Sequence, residues 1–197
     1  MWKCQGRDLL AWLRKDGSQK GQGTYAMIFC LLTSGLRASG LCQLFWGSLD
    51  HVEGIWTARF IGKGNQEAEQ VLYGPAVEAC KHYFMAMFSR MPEAADALFW
   101  TVPTFPGDTT RPIAYHTQWH RVKEAGKAAR AAGVIERDFQ FSPHLFRRTY
   151  APMLYKGRPG TRTSRCFAGT TWTIASLQLH ICHPHSHKGA CCRSQSF

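Results

Sequence analysis

Acid is scarce in this chain, and beyond residue 156 it is missing altogether. The 197 residues carry 13 acidic against 24 basic side chains, a formal charge of +11. Residues 1–156 hold every acid and 19 of the basic residues, which leaves that stretch at +6. Excess positive charge argues for a polyanionic partner, nucleic acid being the commonest; a solvated basic surface is the plain alternative. Long apolar runs are also lacking. The longest, "YAMIFCLL" from Tyr25 to Leu32, has buried-helix length and falls well short of the roughly 18 residues of a membrane span, so no membrane partner is expected. The opening "MWKCQGRDLL" has no apolar signal-peptide core. Without a secretory signal, eight cysteines read as thiols in a reducing cytoplasm rather than as a disulfide framework. Cys30, Cys42 and Cys80 sit in apolar patterns and read as core thiols. No repeats are visible, and the length suits one good-sized domain or a domain with appendages.

The character of the chain changes near residue 157. Residues 157–197 contain five basic residues, four cysteines and four histidines, with no helical or strand periodicity. "HICHPHSHKGACC" has the composition of a metal-binding tract, yet its spacing fits no zinc module, which needs paired ligand sets around a small core. No metal site and no cofactor are therefore assigned. This segment is expected to be an aberrant, disordered tail, distinct from a folded domain over residues 1–156.

Upstream, the elements are legible. "GRDLLAWLRKDG" places Leu9, Leu10, Trp12 and Leu13 at helical spacing, with Gly17 as a stop. "TYAMIFCLLTSGLR" reads as a mostly buried helix from near Thr24 to near Gly35, and "ASGLCQLFWGSLD" as a short third helix. "GIWTARFIGKGNQEAEQVLYG" reads as two strands about a Gly-rich turn at 62–65. A helix follows with Pro75 in its first turn, then another closed by Gly133. The last runs from Pro143 to about Lys156, with Ser142 as its N-cap. The expected fold class is α+β, mainly α-helical, with one small antiparallel β-sheet.

Three cationic sites stand out. Arg37 follows Gly35 at the end of a buried helix, Lys63 sits in the hairpin turn, and His144 and Arg147 lie three apart on the last helix, sharing a face. His144, Arg147 and Arg148 crowd the first two turns of that helix, whereas cations are usually placed at its other end, where the dipole favours them. Each has a plain reading. Arg37 could cap helix carbonyls, Lys63 could be an ordinary exposed turn residue, and His144 could be a half-buried structural histidine. Arg147 or Arg148 could form a surface ion pair of little worth.

Taken together, "LLTSGLRASGLCQLFWGSLD", "IGKGNQ" and "SPHLFRRTYAPML" resemble, in order and separation, the first arginine box, the β-hairpin lysine and the His-x-x-Arg box of the tyrosine recombinases, the phage integrase family. The resemblance covers about residues 5–156. It implies a recombinase catalytic domain without the family's separate N-terminal DNA-clamping domain. It further implies double-stranded DNA as partner, assembly of a homo-oligomer on that DNA, and strand cleavage and rejoining through a 3′-phosphotyrosine without metal or nucleotide cofactor. On this resemblance Arg37 and Arg147 would hold the nonbridging oxygens of the scissile phosphate, as two guanidinium forks can. Lys63 would protonate the departing 5′ oxygen and His144 would assist proton transfer. The start of the last helix would add backbone donors and a favourable dipole. The chain departs from the family pattern at Gly40, where Gly-Leu-Arg-x-Ser-Glu-Leu has the acid that braces the first arginine, and at Phe45, where a polar or basic residue often precedes the tryptophan.

The family's nucleophile is a tyrosine that follows a Gly-His pair downstream of the His-x-x-Arg box, and this chain has neither. Its last tyrosines, Tyr150 and Tyr155, lie on the His-x-x-Arg helix itself and read as packing residues. Codons permitted by Lys156 to Thr171, read one nucleotide back, allow Gly-Ala-x-Gly-Asp-Lys-Asp-Ile-Gln-Met-Leu-Cys-Gly-His, which resembles the family's missing helix and Gly-His box. Its histidine falls about 23 residues after Arg147, near the family's spacing. The expectation is thus an integrase catalytic domain inactivated by a frameshift, with no nucleophile. A non-enzymatic DNA-binding remnant is the second reading, and a metal-binding protein acting through the tail is the third.

Overall fold

The computed structural model describes residues 2–62, 64–103, 109–136 and 142–156, with the side chains of 2–5, 149 and 151–156 excepted. Six helices and one three-stranded sheet make up these residues. Helix α1 (Trp2–Leu13) buries Leu9 and Leu13 and packs on α2 (Gln19–Ser34). Helix α2 starts earlier than its apolar run, because the Ser18 hydroxyl accepts from the Gly21 N–H at 3.0 Å and caps it. Gly21 and Gly23 disguise that start, since glycine disfavours helix. Gly23 has a packing reason, for a β-carbon there would come within 2.7 Å of the Tyr83 ring on the facing helix. The centre of α2 is apolar nearly all round, as a helix in the middle of a core must be, and Ala26, Met27, Ile28 and Leu31 are fully buried.

After α2 the chain forms a short α3 (Ala38–Leu41), a 3-10 turn (Trp46–Ser48) and strand β1 (Leu49–Val52). The expected single helix is therefore split, and the sheet gains a strand. Strand β2 (Ile55–Ile61) pairs antiparallel with both β1 and β3 (Glu67–Leu72), giving the order β1-β2-β3. Ala58 and Leu72 face the core while Arg59, Ile61, Glu67 and Glu69 point outward, the alternation a one-sided sheet requires. Helix α4 (Gly74–Phe88) packs along α2, and Pro75 lies in its first turn as expected. Helix α5 (Tyr115–Ala131) ends just before Gly133, whose φ of 69° suits only a residue without strain in the left-handed region. Helix α6 (Pro143–Lys156) packs against α2 through Phe146, which is fully buried. The α+β, mainly helical class with a small antiparallel sheet matches the expectation. No helix among the described residues is long and apolar enough to cross a membrane.

Candidate phosphate-binding site

Helix α2 stops at Gly35 in the left-handed conformation, φ 66° and ψ 14°. A β-carbon at that position would collide with the Tyr150 ring, which lies over it from α6. The turn is stiffened from below. The Ser34 hydroxyl donates to the Cys30 carbonyl at 2.6 Å and accepts from the Leu36 N–H at 3.2 Å. Leu36 then plunges into the core at 1% exposure, so the extended backbone at Arg37 sends the arginine outward. Arg37 itself is the N-cap position of α3, with φ −70° and ψ 147°.

Arg147 reaches the same place from the other side. Phe146 anchors the first turns of α6 in the core, and the next residue is rotated by about 100° toward the turn after α2. Its Nη1 donates to the Gly35 carbonyl at 3.2 Å. Partial burial lowers the Arg147 pKa, and the positive charge of Arg37 lowers it further. The guanidinium still carries its charge at neutral pH, since an arginine starts far above it. Neither arginine has a carboxylate ion pair among the described residues. Two cations that repel each other and share a partly buried surface are stabilised by an anion between them.

They line one cleft of about 350 Å³, whose other wall is Phe60, Gly62 and the stretch from Gln66 to Gln70 along the free edge of β3. Gly62 is the last described residue before Lys63, and Lys63 itself lies outside the described residues. His144 is exposed in the first turn of α6, three positions before Arg147, and is not part of the cleft lining. The structure thus brings Arg37 and Arg147 together across 110 positions of sequence. A larger cleft, about 740 Å³, opens between the end of α1, α2 and α4, and holds none of the four candidate residues. Its size alone gives it no chemistry, whereas the smaller cleft has convergent charge.

Two neighbours of the site were not legible as such. The Gly35 carbonyl positions Arg147, a contact that no local sequence signal announces. Gly40 is covered by the Phe60 ring, which would stand 3.3 Å from a β-carbon there, so an aromatic wall occupies the approach that a carboxylate would use. Phe45 is 43% exposed, an apolar group left on the surface. Tyr150 is half-buried, and burial raises its phenol pKa. The side chain of Tyr155, like the Cys/His-rich tail, lies outside the described residues.

A family model described as the phage integrase family matches residues 4–163. The chain belongs to the phage integrase family. Among solved structures, it is similar to the XerH site-specific recombinase bound to its difH substrate in a pre-cleavage complex, with a TM-score of 0.58 and 18% identity over 78% of this chain and 42% of that one. It is similar to the XerA recombinase at a TM-score of 0.58 and 22% identity, over 80% of this chain and 49% of that one. At these identities the likeness shows the fold, that of a tyrosine recombinase catalytic domain. The integrase chain spans less than half the length of either recombinase. No curated protein matches it in sequence.

Proposed function

We propose that residues 1–156 are a DNA phosphodiester-binding recombinase catalytic domain, and that the chain as it stands does not cleave DNA covalently. The observation that carries the reading is the convergence of Arg37 and Arg147 on one cleft with no ion pair to a carboxylate among the described residues, although Glu67 and Glu69 line its β3 side. A phosphodiester would supply the missing anion. Its nonbridging oxygens gain charge as a nucleophile attacks, and each positioned donor of this kind is worth about 3–4 kcal/mol in a transition state. In this reading Arg37 and Arg147 grip the phosphate, Lys63 serves as general acid toward the leaving 5′ oxygen, and His144 assists proton transfer at the start of α6. Double-stranded DNA in the cytoplasm is the partner, held by a homo-oligomer, as in integrases of mobile elements. No cofactor is invoked.

Inactivity follows from what the residues cannot supply. Tyr150 is packed over Gly35 with a phenol that burial keeps protonated, and no tyrosine follows Tyr155. The family match ends at residue 163, ahead of position 170, where the one-nucleotide shift would place the histidine of a Gly-His pair. The match thus runs seven residues past Lys156 and stops short of that position, and a frameshift origin for residues 157–197 rests on the out-of-frame reading alone. The deciding experiment is a suicide DNA substrate analysed on denaturing gels, with the unaltered chain beside one whose reading frame is shifted back. No adduct from the first and a covalent adduct from the second support the reading. An adduct from the unaltered chain that disappears in Tyr150→Phe or Tyr155→Phe overturns it. Two silent proteins that still bind DNA favour the non-enzymatic remnant.

A further inference from the structure

Away from the arginine cleft, helices α2 and α4 bring two thiols face to face. Cys30 Sγ and Cys80 Sγ are 3.4 Å apart, and the two residues are 1% and 0% exposed. The helices come this close because small residues line the crossing: Gly23 lies under the Tyr83 ring, and the Cys30 thiol rests 3.9 Å from the Ala76 carbonyl. Nothing in the phosphate site uses these sulfurs. We infer that Cys30 and Cys80 form a site of oxidative modification, closing to an intramolecular disulfide that staples α2 to α4.

A disulfide needs the sulfurs at about 2.05 Å with the two β-carbons near 3.8 Å. The sulfurs already face each other across a packed interface and must approach by about 1.4 Å to bond. The oxidant is a peroxide, small enough to enter when the helix pair opens briefly. One thiolate attacks the peroxide, the O–O bond breaks, and the sulfur becomes a sulfenic acid while hydroxide leaves and takes up the thiol proton as water. The second sulfur then attacks the sulfenic sulfur, the S–S bond forms, and the hydroxyl departs with the second thiol proton as another water. The two thiols lose two electrons and two protons, and one hydrogen peroxide becomes two waters. Burial makes the first step slow, because a thiolate is disfavoured there. The same burial shields the finished bond from cellular reductants. The staple would close a loop that contains α3 and all three strands, and would hold α2, whose end presents Arg37, in place.

The test treats the full chain with hydrogen peroxide, alkylates the remaining thiols in denaturant and maps the peptides by mass spectrometry. The expected result is a Cys30–Cys80 linked peptide, a Tm raised by about 5–10 °C and reversal of both by dithiothreitol. Cys42→Ala should leave the linked peptide in place. Recovery of Cys30 and Cys80 as free thiols, or as sulfinic or sulfonic acids, overturns the inference. So does a Cys30–Cys80 bond that leaves the Tm unchanged or lowers it. Because the map is read on the unaltered chain, no cysteine variant has to fold for the answer to count.

Discussion

At the residue scale, Arg147 carries most of the argument, because its charge is partly desolvated and its position is fixed by the Gly35 carbonyl. Arg147→Ala is expected to weaken binding of a short duplex by about tenfold or more, as loss of a charge-assisted contact should. Arg7→Ala, at an exposed position whose ion pair stretches to 3.8 Å, should change it little; fluorescence anisotropy at fixed salt reads both. Arg121 would be a poor control, because it is buried and its Nη1 donates to the Trp100 carbonyl at 3.3 Å. Cys42 offers a separate check on packing. Burial pushes its thiol from 9.0 up to about 12. A raised folded pKa means that the folded state keeps a proton which the unfolded state has already lost, so stability falls as pH rises through that interval. The Tm in the presence of reductant should decline from pH 9 upward, and Cys42→Ala should flatten part of that decline. An unchanged slope in the variant would show that Cys42 does not titrate late.

At the element scale, the end of α2 and the start of α6 act as one unit, and glycine conformation separates packing from backbone cost. Gly133→Ala meets open space, so its expected cost is the left-handed backbone alone, about 1 kcal/mol. Gly35→Ala adds a collision with the Tyr150 ring, so it should cost clearly more and should weaken DNA binding as well, by moving α6 and Arg147. Denaturant titration of both variants checks the order. Much of this was legible in the sequence. The buried run of α2, the hairpin about 62–65, Pro75 and Pro143 in first turns, and the glycines after α2 and α5 each have a local cause that the chain displays. The misses share a different cause. Strand β1 is four residues long and is defined by pairing with β2, and the early start of α2 is bought by a serine cap and by Gly23 fitting Tyr83. Gln118 and Arg121 are buried on α5 although their types predict exposure, since Gln118 Oε1 accepts from the Cys42 thiol at 2.7 Å and Arg121 finds a carbonyl. Such contacts span tens of residues and leave no local pattern. The pairing of Arg37 with Arg147 was reachable only because two boxes, each weak alone, follow a known order.

At the scale of the whole molecule, charge decides how DNA would be held. Residues 1–156 carry a surplus of six, and several of their carboxylates are paired with other cations: Asp50 takes Arg59 at 2.7 Å, Asp96 takes Arg90 at 2.7 Å, and Glu124 takes Lys127 at 2.8 Å, while the exposed Glu67 and Glu69 line the arginine cleft without an ion pair to either arginine. Glu67 and Glu69 offset part of the cleft's positive charge, but neither is within ion-pair distance of Arg37 or Arg147, so the two guanidiniums stay available to attract phosphate. Each phosphate neutralised releases condensed counterions, so the logarithm of affinity should fall linearly with the logarithm of salt, by about 0.9 for every contact. Binding should therefore weaken steeply between about 50 and 200 mM salt, and sequence should matter little, since phosphate contacts position a protein without reading bases. Arg147→Ala should reduce the salt slope by about one contact as well as the affinity, whereas a variant that merely loosens the fold would lower the fraction of active protein and leave the slope as it was. The two effects separate when anisotropy titrations are run at several salt concentrations with the active fraction fixed by stoichiometric titration. A slope that is flat in the unaltered chain would remove phosphate as the ligand of the cleft. A steep slope that Arg147→Ala does not change would place the phosphate contacts on another face of the molecule.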